Sequence, residues 1–366
     1  MVLLAMVVGV LLGVYAEDGV RKAFHESATW DKVSIPILVG LLIMIWPPLT
    51  KVEWEHFPRL LKSRNIWKHL FISFVLNWIV APLIMLALAW ATLPEDGLSR
   101  ERKGVLLVGV ARCIAMVLIW TTISQGDTNY CAMLVVFNSL LQVVLFSPYA
   151  VLFVNHLGVS PGTEDPSLRL DYPGVSRAVG IYLGIPLAAG MITRFGAKIL
   201  LPDKRKFNKF MNTIGPLAVV GLLYTIIVLF AYQGKRIVHN IGTIFRISVP
   251  LILYFTIVWT TTFFSFWYIA RYRARKSGSG TMAKGGYERA VTQAFTTSSN
   301  NFELAIAVGV ASFGADSPEA LAATLGPLIE VPVLLFLSYV SLWLRGRLWD
   351  ESVMLKEEKG GAREDV

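Results

Sequence analysis

The sequence predicts an all-α polytopic membrane protein of ten transmembrane helices, arranged as two inverted five-helix repeats whose fourth and ninth helices are discontinuous. Three observations predict it. Hydrophobic residues make up 55% of the 366-residue chain and charged residues 16%, with a mean hydropathy of +0.58, a profile of membrane proteins rather than soluble domains. Two apolar stretches are interrupted midway by polar residues: Gly109–Trp120 (GVARCIAMVLIW) by Arg112 and Cys113, and Ser298–Val308 (SSNNFELAIAV) by Asn300, Asn301 and Glu303. These stretches also occupy corresponding places. Sliding the chain against itself by 188 positions puts Cys113 on Asn301, Gly126 on Gly314, Asn138 on Gly326 and Gln142 on Glu330. Interrupted helices at equivalent points of two half-chains point to a secondary transporter with its substrate site where the breaks meet.

Ten apolar spans follow in order, at about Met1 to Tyr15, Val33 to Leu49, Leu70 to Leu93, Gly104 to Ile123, Tyr130 to Val154, Val175 to Ile192, Met211 to Tyr232, Phe245 to Tyr268, Ala290 to Phe313 and Leu321 to Leu344. Residues 1–155 form the first repeat, 174–345 the second and 346–366 a tail. The first span is short, because about 14 apolar residues precede Glu17 and Asp18 where a ~30 Å hydrocarbon core takes about 20. It lacks the basic n-region and small-residue cleavage site of a signal peptide. The second ends in Trp46-Pro47-Pro48, so the prolines are expected to stop the helix at the interface, with Trp46 and Trp54 as an aromatic anchor. In the third, Asn77 either belongs to the site or hydrogen-bonds a neighbouring helix. Ser277 to Gly286 reads as a flexible link, and no Gly-Lys-Ser/Thr follows to make it a phosphate loop.

The net charge of +9 is explained by its distribution rather than by a nucleic-acid partner. Of 34 Lys and Arg, the second, sixth and eighth loops and the tail hold 22, the odd-numbered loops hold 11, and Arg112 stands within a span. By the positive-inside rule both termini are cytoplasmic. Five spans per half is an odd number, so the second repeat is inverted.

The chemistry then concentrates at a few positions. An arginine at mid-bilayer costs roughly 3 kcal/mol on insertion scales, so Arg112 must face protein or a watery cavity. A cation beside Cys113 favours the thiolate, the soft ligand, whereas Cys131 reads as a small buried hydrophobe. Glu303 either pairs with Arg112 across the two breaks or carries a proton, and the two roles are compatible. Glu330, between Pro327 and Pro332, is a third ionisable group at depth, with helix–helix hydrogen bonding as its plainer reading. Asn300 and Asn301 fall where the ninth span unwinds, and Asn138 and Gln142 lie one turn apart facing the same cavity. An intramembrane enzyme is disfavoured, since no His-Glu-x-x-His occurs and all five histidines fall at loops or span ends. No cofactor motif is present.

GVARCIAMVLIW, NSLLQVVLFSPYAVLF (Asn138 to Phe153), SSNNFELAIAV and GPLIEVPVLL (Gly326 to Leu335) resemble the arsenical-resistance family of arsenite efflux permeases, a branch of the bile acid, arsenite and riboflavin transporter superfamily. The resemblance runs nearly end to end. It implies a plasma-membrane exporter of arsenite, with the antimony analogue as further cargo, working by proton exchange without cofactor, nucleic acid or obligate protein partner. It also implies that Arg112, Cys113, Trp120, Asn138, Asn301, Glu303 and Glu330 belong to the functional set, with Cys113 and Glu303 central. With the residues read above, Cys113, Arg112, Asn138, Gln142, Asn300, Asn301 and Trp120 are expected to bind substrate, while Glu303 and Glu330 couple protons. Trivalent arsenic is thiophilic, and one sulfur permits release where three would hold it. Thr121 and Ser299 depart from the residues common in the family, Asn and Ala, without touching these ligands. Family members begin upstream of a segment like Leu4 to Gly13, so the chain is expected to be clipped there. The competing cargo is an organic anion driven by sodium, held by Asn300, Asn301, Glu303 and Gln142.

Overall fold

A computed structural model describes residues 2–16, 19, 29–30, 33–52, 54–56, 64–114, 116–160, 169–239, 241–276 and 286–349. The Ser277 to Gly286 link, except its last glycine, and the tail beyond residue 349 lie outside the described residues. The described chain is helical apart from a two-residue antiparallel ladder, β1 (Thr29–Trp30) with β2 (Val33–Ser34). In order the helices are α1 (Val2–Tyr15), α2 (Ile35–Lys51), α3 (Ile66–Thr92), α4 (Ser99–Val110), α5 (Met116–Ile123), α6 (Thr128–Leu157), α7 (Tyr172–Leu200), α8 (Lys204–His239), α9 (Ile241–Lys276), α10 (Gly286–Ser298), α11 (Phe302–Phe313) and α12 (Pro318–Leu348). Six of the described helices are long and apolar enough to cross a membrane: α3, α6, α7, α9, α12 and the Lys204–Tyr232 part of α8. Helices α1, α2 and α11 are apolar but shorter.

The helices pack in two groups. Helices α1, α2, α7 and α8 lean on one another, while α3, α4, α6, α9, α10 and α12 pack around the short α5 and α11. Close approach in each group depends on small residues. A Cβ at Gly13 would collide with the Ala231 carbonyl of α8, and one at Gly104 in α4 would collide with the Glu319 carbonyl of α12. The α4–α12 contact is fastened by a two-pronged ion pair, Arg100 Nε to Glu319 Oε1 at 2.8 Å and Nη2 to Oε2 at 3.0 Å.

Proline shapes the spans differently from expectation at one point. Helix α2 does not stop at Pro47-Pro48 but continues to Lys51. Two missing N–H groups in a last turn remove few bonds, and the exposed carbonyls are met locally: Thr50 Oγ1 donates to Trp46 O at 3.0 Å and the Trp54 indole to Leu49 O at 2.9 Å. Trp54 is therefore a buried cap rather than an exposed anchor, and the indole of the partly buried Trp46 donates to Thr193 Oγ1 of α7 at 3.1 Å. Elsewhere proline widens the helix. Val75–Val80, before Pro82, and Gly180–Gly184, before Pro186, are π-helical turns, which make room for a ring that would clash with the carbonyl four residues back. Asn77 lies in the first of these turns and donates to Ser73 O and Oγ of its own helix.

Candidate functional site

The two interruptions read in the sequence are real breaks, and they cross. Helix α4 ends at Val110 and α5 begins at Met116; α10 ends at Ser298 and α11 begins at Phe302. Between them Arg112 and Asn300 pair as an isolated antiparallel β-bridge, and the Asn301 N–H donates to Ala111 O at 3.2 Å. Unwound backbone at depth must find partners other than water, and an amide side chain supplies them. Asn300 Nδ2 donates to Val108 O at 2.7 Å and to Ala111 O at 3.0 Å, tying the second break to the end of α4.

The same device then occurs twice. The Arg112 N–H donates to Gln142 Oε1 of α6 at 2.5 Å, and the Asn300 N–H donates to Glu330 Oε2 of α12 at 3.2 Å. Arg112 and Asn300 are 188 positions apart, and so are Gln142 and Glu330. A second matched pair opens the half-helices. The Cys113 sulfur sits beside the backbone amides of Met116 and Val117 at the start of α5, and Asn301 Oδ1 accepts from the Leu304 N–H at 3.0 Å at the start of α11. Both positive helix ends therefore point into the crossing.

Side-chain directions correct one expectation. Arg112 is fully buried, but its guanidinium turns to the Tyr254 hydroxyl (3.2 Å), the Thr297 carbonyl (3.5 Å) and the Gly109 carbonyl rather than to the Cys113 sulfur or the Glu303 carboxylate. Its charge reaches Glu330. The sulfur lies buried in protein at the start of α5 instead, within electrostatic reach of both Glu330 and Glu303. Glu303, in the first turn of α11, opens on a cavity of about 350 Å³. Met44, Pro48 and Lys51 of α2, Met116 and Thr122 of α5, and Leu222 of α8 line its other walls, so it lies between the two helix groups.

Residues 38–240 match the Sodium Bile acid symporter family. The Arsenical-resistance protein Acr3 of Corynebacterium glutamicum is 37% identical over 348 residues, covering 95% of this chain and 88% of that protein. The chain belongs to this family, in its arsenical-resistance group. An uncharacterised transporter of Synechocystis is 31% identical over 355 residues (92% of this chain, 85% of its own), and an arsenical-resistance protein of Alkaliphilus metalliredigens is 28% identical over 351 residues (92% and 88%). This family member is a multi-pass membrane transporter and not an enzyme.

The remaining expected residues line the same region of the transporter. Asn138 is buried, its Oδ1 taken by the Trp78 indole at 3.3 Å, and Trp120 is buried one turn into α5. Trp120 Nε1, Asn138 Nδ2, Gln142 Nε2, Asn301 Nδ2 and Glu330 Oε1 are all buried without a hydrogen-bond partner among the described residues. Buried polar atoms are normally paired, so these five have hydrogen-bonding capacity to spare. No three His, Cys, Asp or Glu side chains converge into a metal cage among the described residues. Sequence reasoning missed Trp78, Tyr254 and Thr297. Tyr254, in an otherwise apolar run of α9, carried the one usable signal, a hydroxyl at depth.

Proposed function

We propose that this transporter exports trivalent arsenic hydroxide from the cytoplasm in exchange for protons, and the antimony analogue by the same chemistry. One observation carries the reading: a single cysteine sulfur at the start of α5 and a carboxylate at the start of α11 converge on the crossing, with a cavity leading to the carboxylate. The arsenical-resistance relatives point to the cargo. Cys113 and As(OH)₃ condense to a single S–As bond with loss of one water, the thiol proton leaving in that water with a hydroxyl of the arsenic. Hydrolysis reverses the step on the far side. The unpartnered amide groups of Asn138, Gln142 and Asn301 and the Trp120 indole suit the remaining hydroxyls, with Arg112 and Asn300 holding the crossing together. Glu303 and Glu330 carry the coupled proton, each in a place where a charge is costly unless met.

The repeated hydrogen bonds 188 positions apart support two inverted five-span repeats: α1, α2, α3, α4 with α5, and α6 make up the first, expected at residues 1–155 and reaching Leu157, and α7, α8, α9, α10 with α11, and α12 the second, expected at 174–345 and running from Tyr172 to Leu348. Lys51 at the cavity wall lies on the side of the basic loops, which the positive-inside rule makes cytoplasmic, along with both termini. The Lys51 end of the cavity is then on the side from which an exporter at the plasma membrane loads. Everted membrane vesicles test both cargo and coupling. Arsenite should accumulate when a proton gradient is imposed and not when a sodium gradient replaces it. Sodium-driven uptake, or none, would reject proton exchange and restore the organic-anion reading.

A further inference from the structure

The cavity that leads to Glu303 has mostly apolar walls, and of the residues lining it Lys51 and Glu303 alone are charged. Their places along it differ. Helices α2 and α8 run antiparallel past each other, with Gly40 against Tyr224 and Thr225, Gly221 against Met44, and Gly215 against Lys51. Met44 and Leu222 thus mark one level of the cavity, and Lys51 with Gly215 marks another, about 10 Å along α2 toward the basic-loop side. Lys51 is exposed at the last residue of α2, whereas Glu303 is buried in the first turn of α11, so the ammonium stands at the mouth and the carboxylate within. The glycines facing α2 do different things. At Gly221 a Cβ would strike the Met44 backbone, so close packing of the two helices requires glycine there. At Gly215 it would strike the Nζ and Cε of Lys51 and no backbone of α2. What this glycine admits is a charged head, carried across from α2 on a long apolar stem. No carboxylate pairs with that head among the described residues.

We propose that Lys51 is the charge filter of this transporter: its ammonium, seated over Gly215 at the mouth of the cavity, keeps metal cations from Glu303 while neutral and anionic species pass. A carboxylate at the end of an apolar passage attracts any cation that reaches it, and low-dielectric walls strengthen the field of a charge placed in the passage. Lys51 sets the sign of that field at the entrance. Gly215 keeps the charge there, because the slot left by its missing side chain is where the ammonium lies. The filter rests on the cavity and not on the cargo. Where the reading above holds, it deepens that reading: arsenic hydroxide is neutral and is not hindered, and protons exchanged inward leave through this mouth, so the ammonium opposes only their return.

Thiol labelling of the purified transporter in nanodiscs tests the filter without reference to transport. Thr122→Cys places a reporter on the cavity wall, and the chain with Thr122, whose Cys113 and Cys131 are buried, gives the background. The reagents are the anionic sulfonatoethyl and the cationic trimethylammonioethyl methanethiosulfonates, each rate divided by its rate with free mercaptoethanol. The reporter chain should favour the anionic reagent. Adding Lys51→Gln should lower the anionic-to-cationic ratio about tenfold, and Lys51→Arg should hold it. Arg275→Gln, which removes an exposed cation from the end of α9, should leave the ratio unchanged. An unchanged ratio in Lys51→Gln, or an equal fall in Arg275→Gln, overturns the filter, and so does a reporter that neither reagent reaches. Because no arsenite is present, rejection here leaves the cargo reading standing, and rejection of that reading leaves the filter.

Discussion

The two breaks are the same construction with different chemistry. Each places an unwound residue whose N–H is caught by a side chain one helix away, Arg112 by Gln142 and Asn300 by Glu330. Each opens its second half-helix on a side chain set against the first backbone amides, Cys113 in α5 and Asn301 in α11. At the catching position the first break has a neutral amide and the second a carboxylate; at the opening position the first has a soft sulfur and the second a hard oxygen. The backbone geometry needs only a short acceptor at all four places. The sulfur and the acid exceed that need, and so they are where function is to be sought.

The largest effect should come from the sulfur. Cys113→Ala should reduce arsenite accumulation in everted vesicles to that of vesicles lacking the protein, while the variant still reaches the membrane. Cys113→Ser sharpens the comparison, because a hydroxyl is well suited to cap the α5 amides. It should restore the unfolding temperature without restoring transport. Transport by the serine variant at the parental rate would make Cys113 a cap like Asn301 and nothing more.

Next in size is the acid. Glu330→Gln makes the second break a chemical copy of the first, with an amide oxygen still available to the Asn300 N–H. The fold should survive within about 1 kcal/mol, the worth of an ordinary hydrogen bond, while proton-driven accumulation falls about tenfold or more. Full coupling in this variant would show that the carboxylate merely repeats the role of Gln142, leaving Glu303 as the proton carrier.

Much of this contrast was legible in the sequence, because polar residues are costly in apolar spans and cannot be there by accident. Arg112 with Cys113, and Asn300 with Asn301, located both breaks, and the shift that laid Gln142 on Glu330 also identified the two catching side chains. The direction of a long side chain was not legible. Arg112 was expected beside the sulfur by adjacency, yet its partners Tyr254 and Thr297 come from helices 142 and 185 positions away. Adjacent residues on extended backbone point to opposite sides, which separates the guanidinium from its neighbour. Nor did Pro47-Pro48 reveal that α2 would continue, since what meets its last carbonyls is a threonine hydroxyl and an indole placed by the turn that follows.

The smallest effect should come from a charge that belongs to neither break. Glu55, in the turn after α2, receives two hydrogen bonds of 2.8 Å from Arg194 of α7, with Lys198 at 3.5 Å. Burial alone would raise its carboxyl, but the Arg194 hydrogen bonds and both cations outweigh it and bring the pKa from 4.5 down to about 2. A carboxyl held below its unfolded value stabilises the protein above about pH 4.5, and that contribution is lost as pH falls from there through about 2. The parent protein should therefore lose more unfolding temperature between about pH 6 and about pH 3 than Glu55→Gln, which has no such proton to take up. Because the pair is partly exposed, its loss near neutral pH should be small, about 1 kcal/mol or less. If the division between scaffold and chemistry holds, proton-driven arsenite transport by Glu55→Gln should match the parent. A coupling defect here would instead place part of the machinery in α2 and α7, outside the crossing.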